Sequence, residues 1–355
     1  MKKVEENCEL PLDVFDLISK TLDFDDLIQF AGVCKNWRAF HKIYWRDFLA
    51  SQEPLLLQVS YHGNESYSFI RMSDQKIYCL KMMKYFEYRT YVTLSSGYFI
   101  MVGDNNSFML FNPFTRIKKV INTSTFEVQS YIFANNALLA FSKCSVEFVL
   151  VVLCNYSRYL YVYQSRNCGW VTYSSTENSG RVVDFVVLHN IIYVVTDKFN
   201  VGVLNLNSAN IKFLKLKSTP NVPNSLYLKL VNCDGQLLVV DLTYTEIRNV
   251  YKIDFSTKDY VKQEILGNIA LLYISNRSCY ALSNPSRWGY ESNSMYVIRL
   301  GSTVCSVYSG DDKKLQKYIK IPAPHKTSFS HETSSFMLDW CFRHLQYEVD
   351  YSLVE

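Results

Sequence analysis

The residues that could do chemistry in this chain are scattered rather than gathered. Six histidines, His41, His62, His189, His325, His331 and His344, occur without any H-x-x-H or H-x-x-x-H spacing, so no helix presents two imidazoles to one zinc ion. The acidic pairs Asp25-Asp26 and Asp311-Asp312 suit a helix N-terminus and a β-turn better than an acid/base couple. Ten cysteines, Cys8, Cys34, Cys79, Cys144, Cys154, Cys168, Cys233, Cys279, Cys305 and Cys341, lie singly with no C-x-x-C. No serine or cysteine has a His and an acid at a spacing that argues for an activated nucleophile. G-x-S-x-G, a Gly-rich phosphate loop, H-E-x-x-H and an EF-hand series are all missing, although a hydrolase, kinase or metalloenzyme would normally show one of them. The expectation is a protein that binds without catalysing, with no cofactor and no metal.

The elements that must position its binding residues are bounded by size and composition. The chain has 355 residues, 48% hydrophobic and 20% charged, with 37 Lys+Arg against 33 Asp+Glu. That is an ordered composition, enough for two domains or for one large β domain with a small appendage. The amino end, Met1-Lys2-Lys3-Val4-Glu5-Glu6-Asn7, has no apolar stretch behind its lysines, and no 18-residue uncharged apolar run occurs. A soluble protein of the cytoplasm and/or nucleus is expected, its cysteines buried and reduced. The sequons at Asn64, Asn122, Asn155 and Asn276 are then without meaning. Residues 1–50 carry a charge of −2 and the remainder +6, with no Lys/Arg-rich run, so neither nucleic acid nor membrane is expected as a partner.

From Leu10 to about Leu49 the periodicity is helical. Pro11 suits the first turn of a helix; Val14, Leu17, Ile18 and Leu22 recur at three- and four-residue spacing, with Leu12 and Phe15 adjoining. Asp25 and Asp26 would cap a short helix over 27–31 that Gly32 ends. Val33, Trp37 and Phe40 share a face of a third helix, and Tyr44 with Phe48, and Trp45 with Leu49, continue as a fourth. About 40 residues cannot bury enough surface to fold robustly without metal, disulfide or partner, so part of this apolar surface is expected to be covered by something else, the alternative being that the helices dock on the remainder of the same chain.

These residues carry a resemblance. Leu10-Pro11-Leu12-Asp13-Val14, Ile18, Leu22, Asp26-Leu27, Phe30 and Val33-Cys34-Lys35-Asn36-Trp37-Arg38 are similar to the F-box pattern, in which L-P-x-D/E opens and V-C-K-x-W-R closes. Phe24 stands where a Pro is usual. The resemblance implies docking on a Skp-type adaptor, and through it on a cullin/RING ligase, with contacts falling on Leu10, Pro11, Leu12, Ile18, Leu22, Val33, Cys34 and Trp37.

After Leu55 the pattern changes to apolar runs of four to seven residues separated by Gly, Asn, Asp or Ser, which reads as all-β. Hairpin turns are expected at Asp104-Asn105-Asn106, Asn135-Asn136, His189-Asn190 and Asp234-Gly235. An apolar strand ending in a polar residue and a turn recurs at Arg71, Asn112, Gln164, Asn205, Asp254 and Ser309, at spacings of 41, 52, 41, 49 and 55 residues. A four-stranded propeller blade takes about 40–50 residues, so six registers predict a six-bladed β-propeller, or seven blades if the termini build one more. The 55-residue interval contains Asn284-Pro285-Ser286-Arg287-Trp288-Gly289-Tyr290, read as an inserted loop.

Nearly the whole chain resembles plant F-box proteins with a KIB-type, kelch-like propeller, on Phe111-Asn112-Pro113-Phe114, Asn232 to Val240, Leu266-Gly267-Asn268 with Tyr273 to Ser278, and Asn293 to Tyr296; a kelch or F-box-associated propeller is the competing label and implies the same architecture. The expected fold class is mostly β with a small α domain, an F-box helical domain over residues 8–50 followed by a propeller over 55–355. The implied function is that of a substrate-recognition subunit of a Skp/cullin/F-box ubiquitin ligase, the propeller holding an unidentified protein substrate. The alternative is a propeller binding module or small-molecule sensor with a vestigial F-box. With 27 Tyr and 22 Phe, most aromatics should pack between strands and a minority should line an open end as binding hot spots; Arg287, Trp288 and Tyr290 are the candidate substrate-binding patch.

Overall fold

The computed structural model describes residues 10–22, 26 and 37, and residues 53–353 apart from 61–65, 82–87, 104–106, 114–116, 124–133, 144–145, 155–158, 176, 221–226, 244–245, 323–335 and 343–345. Runs rich in Val, Ile, Leu, Tyr and Phe form strands, and these strands form six separate sheets, the six blades of a propeller. From the channel outward, blade 1 is Phe336–Cys341, Leu55–Ser60, Ser66–Arg71 and Ile77–Lys81, so a strand from near the carboxyl end closes the ring on the first three. Blade 2 is Tyr88–Ser95, Tyr98–Gly103, Ser107–Phe111 and Lys118–Asn122. Blade 3 runs outward from Ala134–Ser142 through Phe148–Cys154 and Tyr159–Gln164 to Gly169–Ser174, with the short strand Tyr347–Val349 added on the channel side of Ala134–Ser142. Blade 4 is Val182–Leu188, Ile191–Thr196, Val201–Asn205 and Asn210–Phe213, and blade 5 is Lys229–Cys233, Gln236–Leu242, Ile247–Asp254 and Asp259–Lys262.

Blade 6 departs from the pattern. Its innermost strand is Cys279–Ser283, followed outward by Ile269–Ile274, Ser294–Ile298, Val304–Ser309 and Leu315–Lys320. Ile269–Ile274 and Ser294–Ile298 pair in parallel, which takes a crossover; the chain supplies it with Cys279–Ser283 and a 3-10 turn at Pro285–Trp288. The long repeat interval is therefore an extra strand as well as a loop.

All six registers found in the sequence fall at the turn into the outermost strand of a blade. The reason for the polar residue is visible in two of them. Asn205 Oδ1 accepts the N–H groups of Asn207 and Ser208 at 2.9 and 3.0 Å. Asp254 Oδ1 accepts those of Ser256 and Thr257 at 2.8 and 3.3 Å. The side chain imitates a turn of backbone. The hairpins at His189-Asn190 and Asp234-Gly235 form as expected, with φ of 47 and 64° and of 48 and 76°, the doubly positive pair that a two-residue connection requires. Asp104-Asn105-Asn106 lies outside the described residues. Asn135-Asn136 is not a turn: both sit within Ala134–Ser142, where the register shifts between Ala134 and Asn136, and Asn136 spends its amide on Asp184 of the neighbouring blade.

The core is six wedges, one between each pair of neighbouring blades. At the innermost strands two buried carboxylates tie the wedges together. Asp339 of blade 1, 1% exposed, accepts from Tyr91 Oη, Thr93 Oγ1 and the Leu94 N–H of blade 2 at 2.9, 3.1 and 3.3 Å, and from Ser278 Oγ beside blade 6 at 2.7 Å. Asp184 of blade 4 accepts from Asn136 Nδ2 of blade 3 at 2.7 Å and from the Leu230 N–H of blade 5 at 2.8 Å. Between them the two acids touch every blade.

At the amino end, the α-helix Leu12–Thr21 begins behind Pro11, whose carbonyl accepts the N–H groups of Val14 and Phe15 at 3.0 and 3.2 Å. Phe15 is buried and meets Trp37 edge to face at 5.4 Å, with Ile18 and Leu22 packed alongside. Leu17, expected on the stripe with Ile18, is instead 64% exposed. The inward stripe is Phe15, Ile18 and Leu22, at intervals of three and four. Among the described residues no helix is long and apolar enough to cross a membrane and no cluster of three metal-ligating side chains occurs. Cys154, Cys233, Cys279, Cys305 and Cys341 are buried as expected; Cys79 and Cys168 are exposed, and Cys8, Cys34 and Cys144 lie outside the described residues.

Candidate functional site

The innermost strands surround a cavity of about 330 Å³ on the propeller axis, at the small end of the range for ligand sites. Every blade but the first supplies lining from its innermost strand, and blade 1 supplies Phe342, which follows Phe336–Cys341. Phe342 lies against Tyr280 with ring centroids 4.9 Å apart. The chain then reaches blade 3, where Tyr347–Val349 pairs in parallel with Ala140–Ser142 and Tyr347 joins the lining. This tail is tied down by Tyr347 N–H to Ser96 Oγ at 2.9 Å, Asp350 N–H to Asn190 O at 3.0 Å and Asn207 Nδ2 to Tyr351 O at 2.8 Å. It therefore spans from blade 1 to the turns of blades 2 and 4.

The channel lining mixes apolar side chains with buried titratable groups. Burial pushes the phenols of Tyr91 and Tyr280 well above their usual range, the Asp339 charge adding to both, and raises Tyr347 to about 12. Cys279 is pushed to about 12 by burial, so its thiol is inert as a nucleophile. Asp184 is raised by burial, against the pull of Lys229, whose Nζ stands 3.5 Å away. Arg277, from the turn before Cys279–Ser283, reaches past the Met337 sulfur to Val92 O at 3.3 Å, its guanidinium 5.7 Å from the Tyr91 ring centroid.

Of the candidate patch, Arg287 and Trp288 both line the cavity, the guanidinium stacked 3.4 Å from the indole ring. Tyr290 is not with them. It is 5% exposed and packs on Tyr296 and Trp340 in the wedge between blades 6 and 1, at centroid distances of 5.1 and 6.5 Å. Of the F-box candidates, Leu10 and Pro11 are exposed, Ile18, Leu22 and Trp37 pack on Phe15, and Leu12 belongs to the helix; Val33 and Cys34 lie outside the described residues. The sequence reading missed Asp184, Lys229, Asp339 and Tyr347, and held Arg277 only as part of the run Tyr273 to Ser278, without a place at the site. A signal existed for the two acids, since Val182-Val183-Asp184-Phe185-Val186 and Phe336-Met337-Leu338-Asp339-Trp340 each set one charge in an apolar strand, where a carboxylate needs several donors.

A family model described as the KIB1-4 beta-propeller matches residues 67–323, and one described as the F-box domain matches residues 8–40. No curated protein matches. Among solved structures, apo AztD from Citrobacter koseri is similar at 10% identity and a TM-score of 0.36, over 55% of this chain and 55% of that one. A crystal structure of Citrobacter koseri AztD is similar at 11% identity and a TM-score of 0.38, over 61% of this chain and 59% of that one. In both, the chain spans less than two thirds of the length it is compared with.

Proposed function

We propose a function from a firm premise: this chain belongs to the KIB1-4 beta-propeller family, and an F-box domain precedes its propeller. It is the substrate-recognition subunit of a Skp/cullin/F-box ubiquitin ligase, of the plant type with a kelch-like propeller, working in the cytoplasm and/or nucleus. Residues 8–50 hold the Skp-type adaptor and residues 55–355 hold the protein to be ubiquitinated. The chain makes and breaks no bond itself. It raises the effective concentration of substrate lysines at the charged ubiquitin carrier, which is catalysis by proximity.

The observation that carries this reading is the division of the first helix. Phe15 with Ile18 and Leu22 is spent inside the domain on Trp37, while Leu17 is 64% and Leu10 38% exposed beside Pro11. An apolar edge kept in water on so small a unit is what a partner would cover. An adaptor interface of about 1,600 Å² or more fits a standard complex. At the other end, Arg287 stacked on Trp288 at the cavity offers the residue types favoured in hot spots.

The test is co-purification of the full chain with a Skp-type adaptor, comparing wild type with Leu10→Ser and Leu17→Asp. These replace exposed side chains, so the folded chain should survive while adaptor binding falls by roughly tenfold or more. Trp37→Ala is the weaker probe because it also empties the Phe15 contact. If both surface variants retain adaptor at wild-type yield, the ligase reading fails.

A further inference from the structure

The axial cavity contains a charge that its own residues do not resolve. Three cations, Lys229, Arg277 and Arg287, line it against two carboxylates, Asp184 and Asp234. Lys229 is taken by Asp184, and Asp234 stands exposed in its turn. Arg277 is half-buried, and its partners are one backbone carbonyl, one thioether sulfur and the face of one ring. No carboxylate among the described residues lies within ion-pair distance of it. Asp339, across the Tyr91 ring, is already saturated by Tyr91, Thr93, Leu94, Ser278 and its neighbour Trp340 N–H. A guanidinium carries five N–H donors, and only two are engaged here, one of them on sulfur, a weak acceptor. A half-buried guanidinium with spare N–H donors at a cavity wall is a group that an anion would satisfy.

We propose that the axial cavity is a binding site for a carboxylate carried on a compact apolar body. The carboxylate accepts from the spare Arg277 N–H groups, in the paired geometry a guanidinium favours. The body rests on the apolar lining provided by Leu94, Leu138, Phe185, Leu282 and Phe342. A space of about 330 Å³ admits a single ring with a short arm, or one acidic side chain reaching in from a chain that stays outside it. Two sources present this chemistry, a free small acid and an acidic side chain of a bound protein, and the test separates them. The site stands on the channel alone and does not require the F-box to engage an adaptor.

The full chain is titrated, by calorimetry or ligand-observed NMR, with hydrocinnamate and hydrocinnamide, and with the blocked peptides acetyl-Leu-Asp-Phe-amide and acetyl-Leu-Asn-Phe-amide. At least one acid should bind at millimolar concentration or below, and its amide should be weaker by about tenfold or more, the worth of a charge-assisted pair. Arg277→Gln should abolish that preference and Arg277→Lys should keep part of it. Binding of hydrocinnamate alone assigns the site to a free acid; binding of the Asp peptide alone assigns it to a protein side chain. If neither acid binds, or if acid and amide bind equally to the wild type, the proposal is overturned. Should Arg277→Gln fail to fold by circular dichroism, the acid-against-amide comparison on the wild type decides.

Discussion

Replacing Asp339 should open the ring, and the structure gives the size of the effect. Asp339→Ala removes the acceptor of Tyr91 Oη, Thr93 Oγ1, the Leu94 N–H, Ser278 Oγ and the Trp340 N–H. Each buried donor left unmade costs about 1–3 kcal/mol. The Thr and Ser hydroxyls can rotate toward the adjoining cavity and be partly satisfied there, whereas the Leu94 N–H is fixed and Tyr91 is 4% exposed, so roughly 3–5 kcal/mol should be lost. Asp339→Asn is the sharper variant. Each carboxylate oxygen faces one backbone N–H, Leu94 at Oδ2 and Trp340 at Oδ1, so the new NH2 group meets one of them whichever way the amide turns; the hydroxyls beside it can rotate to accept from it and the backbone N–H cannot. An intermediate loss of about 1–3 kcal/mol follows. The assay is urea unfolding of the full chain, with Tyr91→Phe combined in a double-mutant cycle to isolate the Tyr91 pair. If Asp339→Asn and Asp339→Ala both unfold within about 0.5 kcal/mol of wild type, the carboxylate does not hold blades 1, 2 and 6 together.

Three further outcomes follow. The Asp184 carboxyl is raised above its ordinary 3.8 by burial, so the folded state keeps a proton the unfolded chain has released; that stabilisation is full below 3.8 and is lost as pH rises through the folded value. Asp184→Asn should therefore gain on the wild type in unfolding experiments as pH is raised from about 4. Asp254, held near 2 by Ser256 and Thr257, works in the opposite sense: its contribution is present above 3.8 and lost as pH falls toward 2, so Asp254→Asn should flatten the acid limb of the stability profile. Gly180, at φ +83°, would aim a Cβ at the Asp197 carboxylate and 2.9 Å from Lys198 Cγ; Gly180→Ala should cost about 1–3 kcal/mol in thermal unfolding.

The blade count was legible because the turn into each outer strand uses a polar residue at a nearly regular interval, a local demand that sequence states openly. The closing strand was not. Phe336–Cys341 and Leu55–Ser60 are about 280 residues apart and pair from Leu55↔Cys341 to Ser60↔Phe336, and nothing in either run names the other. Asn135-Asn136 misled for a related reason. Two asparagines between apolar residues read as a turn, but Asn136 is there to serve Asp184 from another blade. Arg287 and Trp288 were found by composition, and their meeting at the cavity follows from a crossover that only the parallel strand pair of blade 6 reveals. Tyr290 shares that loop, yet two residues on from Trp288 the chain has turned inward. Periodicity says which residues alternate; in an irregular loop there is no period to follow.

The ring closure makes the carboxyl end indispensable in two separable ways. Truncation before Phe336 would strip Leu338, Trp340 and Cys341 from the wedges, at 5%, 1% and 0% exposure, and would leave Leu55, Leu56 and Leu57, each 0% exposed, on an open strand edge. Losing Trp340 and Leu338 burial alone costs about 4–6 kcal/mol, and the six-residue ladder to Leu55–Ser60 goes with them. Set against a total stability of about 5–15 kcal/mol, that is enough to unfold the domain, and the exposed edge should drive aggregation. Truncation after Phe342 keeps the closing strand and removes only the tail, with its contacts to Ser96, Asn190 and Asn207. This shorter chain should stay soluble and keep a cooperative melt, while the cavity loses Tyr347 from its wall. Size-exclusion chromatography and calorimetry of the two truncations separate the roles; two chains that aggregate alike would show the tail to be part of the closure itself.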